Sequence, residues 1–112
     1  MELKLNIYNG KDIEKTYMAN DFVLTTGTCE DILKLVDIDK LSGNLDDNAS
    51  MMEVLKIVIK AFNEFKPMMM QIFDGLTDDE YRRTNIAEVA GVVIQAVKYT
   101  FAQLFNSISG KN

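Results

Sequence analysis

The chain contains no histidine and no tryptophan, one proline and one cysteine. Without histidine there is no Ser-His-Asp or Cys-His nucleophile pair and no imidazole metal ligand. With Cys29 alone there is no intrachain disulfide and no thiolate metal cluster. Glycine is sparse and scattered at positions 10, 27, 43, 75, 91 and 110, so no glycine-rich loop exists to cradle a phosphate. Long apolar runs are missing too. The stretches at 54–62 and 87–94 are cut or bounded by Lys56, Lys60, Glu88 and Gln95, well short of the roughly 20 residues that span a bilayer. What remains is a 112-residue chain, the length of one domain, with an apolar fraction of 47% that is ample for a core.

Basic residues are outnumbered, 12 Lys and Arg against 17 Asp and Glu, for a net charge of −5. Such a surface repels phosphate backbones, and the one adjacent basic pair, Arg82-Arg83, follows Asp78, Asp79 and Glu80. No nucleic-acid partner and no membrane partner are expected. The start, Met1-Glu2-Leu3-Lys4, lacks the basic-then-apolar pattern of a secretion signal, so a soluble cytoplasmic protein is expected.

The pattern predicts one α+β domain over 1–112, mainly helical, with an N-terminal β-hairpin. Leu3, Leu5 and Ile7 alternate with polar neighbours, the period of a half-buried strand. Asn9-Gly10 marks the turn. A three-residue loop over 9–11 with a bulge would pair Ile7 with Ile13, Leu5 with Lys15 and Leu3 with Tyr17, and would put Ile13 and Tyr17 on the inner face. Residues 21–25, with Phe22, Val23 and Leu24, are a candidate third strand, completing a β region over 3–25. Residues 28–108 read as helical. Four capping side chains are each answered three residues later by an acid: Thr28 with Asp31, Ser50 with Glu53, Thr77 with Glu80 and Asn85 with Glu88. Helices are predicted over 29–41, 51–73, 78–83 and 86–108. Pro67 is expected to break the second near Lys66. Gly91 sits mid-helix at a cost of roughly 1 kcal/mol relative to alanine, which calls for a packing reason such as close helix approach.

Few residues are candidates for chemistry. Asp37-Ile38-Asp39 fails as a calcium loop, because Leu41, Ser42 and Asn48 stand where ligand, glycine and glutamate are needed. The paired acids Asp46-Asp47 and Asp78-Asp79-Glu80 fit helix starts better than a glycosidase pair. Cys29 lies in a first helical turn, but Glu30 and Asp31 beside it oppose thiolate formation. No catalytic, cofactor or metal site is predicted, and no cofactor is expected.

The distinctive signal is apolar. Five of the seven methionines fall within 51–70, including Met68-Met69-Met70, with Phe73 close by and Phe101 and Phe105 on the last helix. Three successive residues cannot share one helix face, since each step turns about 100°. The run either fills an awkward corner of the core beside Pro67 or meets another chain. Met68, Met69, Met70, Phe73, Phe101 and Phe105 are the candidate partner-binding residues.

The chain as a whole then shows a pattern. Lys4-Leu5-Asn6-Ile7-Tyr8-Asn9-Gly10-Lys11 leads to Glu30-Asp31-Ile32-Leu33-Lys34-Leu35-Val36, later to Ile72-Phe73-Asp74-Gly75-Leu76-Thr77-Asp78-Asp79-Glu80, and then to the long helix through Ala102-Gln103-Leu104. This resembles the small tail assembly chaperones of long-tailed, siphovirus-type phages and prophages of Gram-positive bacteria. The resemblance implies a non-enzymatic protein of the host cytoplasm that keeps the tape measure protein soluble while the tail tube forms, and that is absent from the mature virion. It also implies a frameshifted longer form whose extension recruits the major tail tube protein. Gly110-Lys111-Asn112 is compatible with an adenine-rich slippery site, and the length favours the short form. Self-association is expected of a protein that coats one client in many copies. The alternative is a small prophage-encoded adaptor or regulatory module that binds one host protein.

Overall fold

The computed structural model describes residues 2–35 and 48–109, leaving aside within that range the side chains of 48–51, 101 and 103–109. The chain opens as an antiparallel hairpin, β1 (Leu3–Asn9) with β2 (Asp12–Ala19). Its turn is Gly10-Lys11, one residue shorter than expected, and Gly10 takes φ 65°, where a β-carbon would be strained. A bulge is present, but it lies within the strand. Ile7 pairs with Lys15 and Tyr8 with Ile13, so Glu14 is the extra residue. Tyr17 therefore stands opposite Leu5 and Ala19 opposite Leu3. The inner face is Leu3, Leu5, Ile7 and Ala19, all buried, with Tyr17 beside them. Ile13, expected inside, turns outward and is 54% exposed. The register follows from charge as much as from apolar alternation: it brings Glu14 to Arg83 and Lys15 to Glu80.

Residues 21–25 do not form the third strand, and the described sheet has two strands. They run as a connection pinned at both ends. The Phe22 ring packs on Tyr99 with centroids 5.1 Å apart, and the Thr25 N–H donates to Gln71 Oε1 at 3.0 Å. Helix α1 (Thr26–Leu35) begins three residues before the expected 29. Thr25 Oγ1 accepts the Thr28 N–H at 3.3 Å, so Thr25 does the capping and Thr28 is buried inside the first turn. The remainder of the predicted helix, 36–41, lies outside the described residues.

Helix α2 (Asn48–Lys60) also starts early, which places Ser50 within it rather than at its cap. The break tied to Pro67 comes at Ala61, about a turn before the expected Lys66. A 3-10 turn (Phe62–Phe65) follows, and then α3 (Lys66–Ile72) with Pro67 in its first turn. The reason is local. Within a continuous helix Pro67 would leave the Asn63 carbonyl without a donor and collide with it. In a first turn its missing N–H costs nothing.

Helix α4 (Asp78–Arg82) carries the complete capping box: Thr77 Oγ1 accepts the Glu80 N–H and the Glu80 carboxylate accepts the Thr77 N–H, both at 3.1 Å. Helix α5 (Ile86–Ser109) is capped by Asn85 Oδ1, which accepts the Ala87 N–H at 2.8 Å and the Glu88 N–H at 3.3 Å. Glu88 does not reciprocate; its carboxylate turns to the hairpin.

The result is a mainly helical α+β domain with α5 at its centre. One side of α5 packs on β1 and another on α2. Val89, Ala90, Val92, Val93, Ile94, Ala96 and Val97 are accordingly buried, a band broader than the single stripe of a helix packed on one side only. Gly91 departs from expectation: a β-carbon there would meet nothing within 4 Å, so no close helix approach explains it.

Candidate functional site

The hairpin is fastened to the helices by a polar seam. Glu80, almost fully buried, takes two hairpin partners, Lys15 Nζ at 2.7 Å and Tyr17 Oη at 2.5 Å, besides the Thr77 N–H of its own capping box. The Lys15 ammonium, the Tyr17 hydroxyl and the Thr77 amide together hold its carboxyl down to about 2. The Glu80 carboxylate in turn raises Lys15 and Tyr17. Glu80 thus stays ionised across the neutral range and has no proton to give, so it is a tie and not a general acid.

Two further ties flank it. Glu88 accepts the Asn6 N–H at 3.3 Å and the Tyr8 hydroxyl, which raises Tyr8. The Arg83 guanidinium donates to Glu14, to Asp79 and to the Tyr8 carbonyl at 3.0 to 3.1 Å, while the Arg83 carbonyl accepts the Tyr8 N–H at 2.8 Å. The outer edge of β1 is closed at residues 6 and 8 by these groups, which removes it as a pairing edge there. Arg83, half of the one basic pair, is spent in holding the hairpin tip. Tyr81, fully buried, stacks on Phe62 with centroids 4.0 Å apart and donates its hydroxyl to the Phe62 carbonyl at 2.6 Å, locking the 3-10 turn. Burial with only that neutral acceptor raises its pKa.

Surface clefts lie around this frame. One, about 530 Å³, sits between the hairpin turn and Arg83-Thr84-Asn85. A second, about 350 Å³, lies between α1 and the 3-10 turn beside Pro67, and a third, about 370 Å³, follows Leu3-Lys4 and Gly91. Among the described residues no three His, Cys, Asp or Glu side chains come together to hold a metal ion. Cys29 is half-buried with its thiol free.

The predicted partner-binding residues separate. Met68, Met69 and Phe73 are buried in the core, and the surface assignment fails for these three. Met70 is half-buried against the same core, and the side chains of Phe101 and Phe105 lie outside the described residues. Helix α3 resolves the run of three by being covered on most of its circumference, so the corner beside Pro67 is filled from inside.

Exposed apolar surface is found instead on α2. Val54 and Val58 face the core, whereas Met52 and Ile59 are 53% and 58% exposed. Half-buried Leu55 lies between them. Positions 52, 55 and 59 step by three and four, one side of a helix with two apolar faces. That spacing was available in the sequence. Comparably exposed apolar groups are Ile13 and Met18 on the outer hairpin face, Val23, and Leu33 on α1.

Among the described residues no helix is long and apolar enough to cross a membrane. Comparison with protein-family models, with curated proteins and with solved structures finds no match to this chain.

Proposed function

We propose that this chain is a tail assembly chaperone that binds a tape measure protein in the bacterial cytoplasm and keeps it soluble while a phage tail tube assembles. The whole-chain resemblance supports this reading, and the α2 stripe is the observation that carries it. A long helical client presents apolar stripes at three- and four-residue spacing, and a complementary stripe on a rigid helix is what covers them. The mechanism is reversible burial without chemistry, with the net charge of −5 keeping coated complexes apart. A frameshifted longer form would add contact with the major tail tube protein.

Co-expression tests it. The tape measure product of the same gene cluster, insoluble alone, is expected in the soluble fraction with this chain and not with a Met52→Asp/Ile59→Asp variant. A client that stays insoluble beside the folded parent chain would overturn the proposal.

A further inference from the structure

The α2 stripe has a charged border on one side only. Lys56 follows Met52 by four residues and precedes Ile59 by three, and Lys60 follows Lys56 by four, so both lie along the flank of the stripe away from the core. Both are exposed, and neither is paired with an acid among the described residues; exposed Glu53, three residues before Lys56, is the one acid on that flank, which carries two ammonium groups to one carboxylate in a chain whose net charge is −5. By contrast Lys15, Lys66 and Arg83 are each held by carboxylates. From this we infer that the α2 face takes an amphipathic helix whose apolar stripe is bordered by Asp or Glu on the side that meets Lys56 and Lys60. A second copy of α2 is the poorer occupant. An antiparallel pair would set Lys56 and Lys60 of both copies along one flank with Glu53 as the acid each copy supplies there, four ammonium groups against two carboxylates, a poorer match than an all-acidic border. An acidic border meets the two free ammonium groups and sets the direction in which the incoming helix lies, while the apolar stripe supplies the buried area.

The inference rests on the chaperone reading in taking a long helical client as the source of such segments, and it can fail separately. The experiment uses the full chain and two synthetic helical peptides with the same apolar stripe, one bordered by Glu and the other by Lys. The Glu peptide is expected to bind about fivefold or more tighter at low ionic strength, a gap that closes as salt is added. Lys56→Glu/Lys60→Glu should reverse the preference, and Ile59→Asp should abolish binding of both peptides. Circular dichroism checks the fold; if Ile59→Asp lost helicity, the reversal by the lysine variant alone would decide. Equal binding of the two peptides, or a preference unmoved by the lysine exchange, would overturn the inference. So would a dimer that Ile59→Asp dissociates, since a second copy would then cover the stripe. If the preference were absent while the tape measure product was still solubilised, the charge rule would fall and the chaperone reading would stand.

Discussion

Glu80 links the sequence to the tertiary structure through one side chain. Its place three residues after Thr77 made it legible as a helix-start acid; its two hairpin partners were not, because Lys15 and Tyr17 are more than 60 residues away in the chain. The ties have a pH signature whose sign follows from the direction of the shift. The carboxyl sits near 2 in the fold against an ordinary 4.5, so its stabilisation is complete above about 4.5 and is lost as pH falls toward about 2. Urea melts of the parent chain should therefore weaken across that window. Glu80→Gln should be less stable at neutral pH by about 1–2 kcal/mol and nearly flat across it. A parallel fall in both chains would assign the acid sensitivity elsewhere. Methionine gives a second contrast at this scale. Met69 is fully buried and Ile59 mostly exposed, so Met69→Glu should abolish the far-UV helical signal at room temperature, whereas Ile59→Glu should leave it intact.

At the scale of elements, periodicity located the hairpin, the four long or acidic-led helical stretches and the break near Pro67, because these depend on neighbours within a turn or two. It misplaced boundaries wherever a distant partner decided them. Thr28 has the composition of a cap, yet its hydroxyl is taken by Gln71 at 2.7 Å, and capping passes to Thr25. Asn85 caps as expected, while Glu88 leaves the box for Tyr8 and Asn6. Residues 21–25 have strand-like composition but bind Tyr99 and Gln71 instead of a strand. The candidate site was obscured for a related reason. A helix with two apolar faces reads as one broad stripe until the fold shows which face is covered. Gly91 yields a prediction here. It lies within α5 with open space where a β-carbon would go, so Gly91→Ala removes unfolded-state freedom without a clash. A gain of about 0.5–1 kcal/mol is expected in chemical denaturation; a loss would mean that another chain approaches the backbone there.

For the whole molecule the question is whether the hairpin is an appendage or part of the cooperative unit. Two-stranded hairpins are marginal alone, and this one has only its inner face and its ties to hold it. That inner face, however, lies in the same core as α5 and α2: Leu5 and Ile7 are fully buried with Val93, Val58 and Phe65. Glu80, Arg83 and Glu88 add polar ties to the hairpin from two separate helices. The helices in turn would expose part of the buried band of α5 if the hairpin left. The two halves should therefore unfold together. Leu5→Ala removes a buried side chain at the hairpin–helix boundary and should cost about 2–4 kcal/mol. The informative measurement is its effect on two probes, far-UV dichroism for the helices and near-UV dichroism of the tyrosines, which include Tyr8 and Tyr17 on the hairpin. In a single cooperative unit both probes shift to the same lower urea midpoint and remain coincident. If the tyrosine signal were lost first while the helical signal kept its parent midpoint, the hairpin would be a separately opening element and the polar seam its hinge.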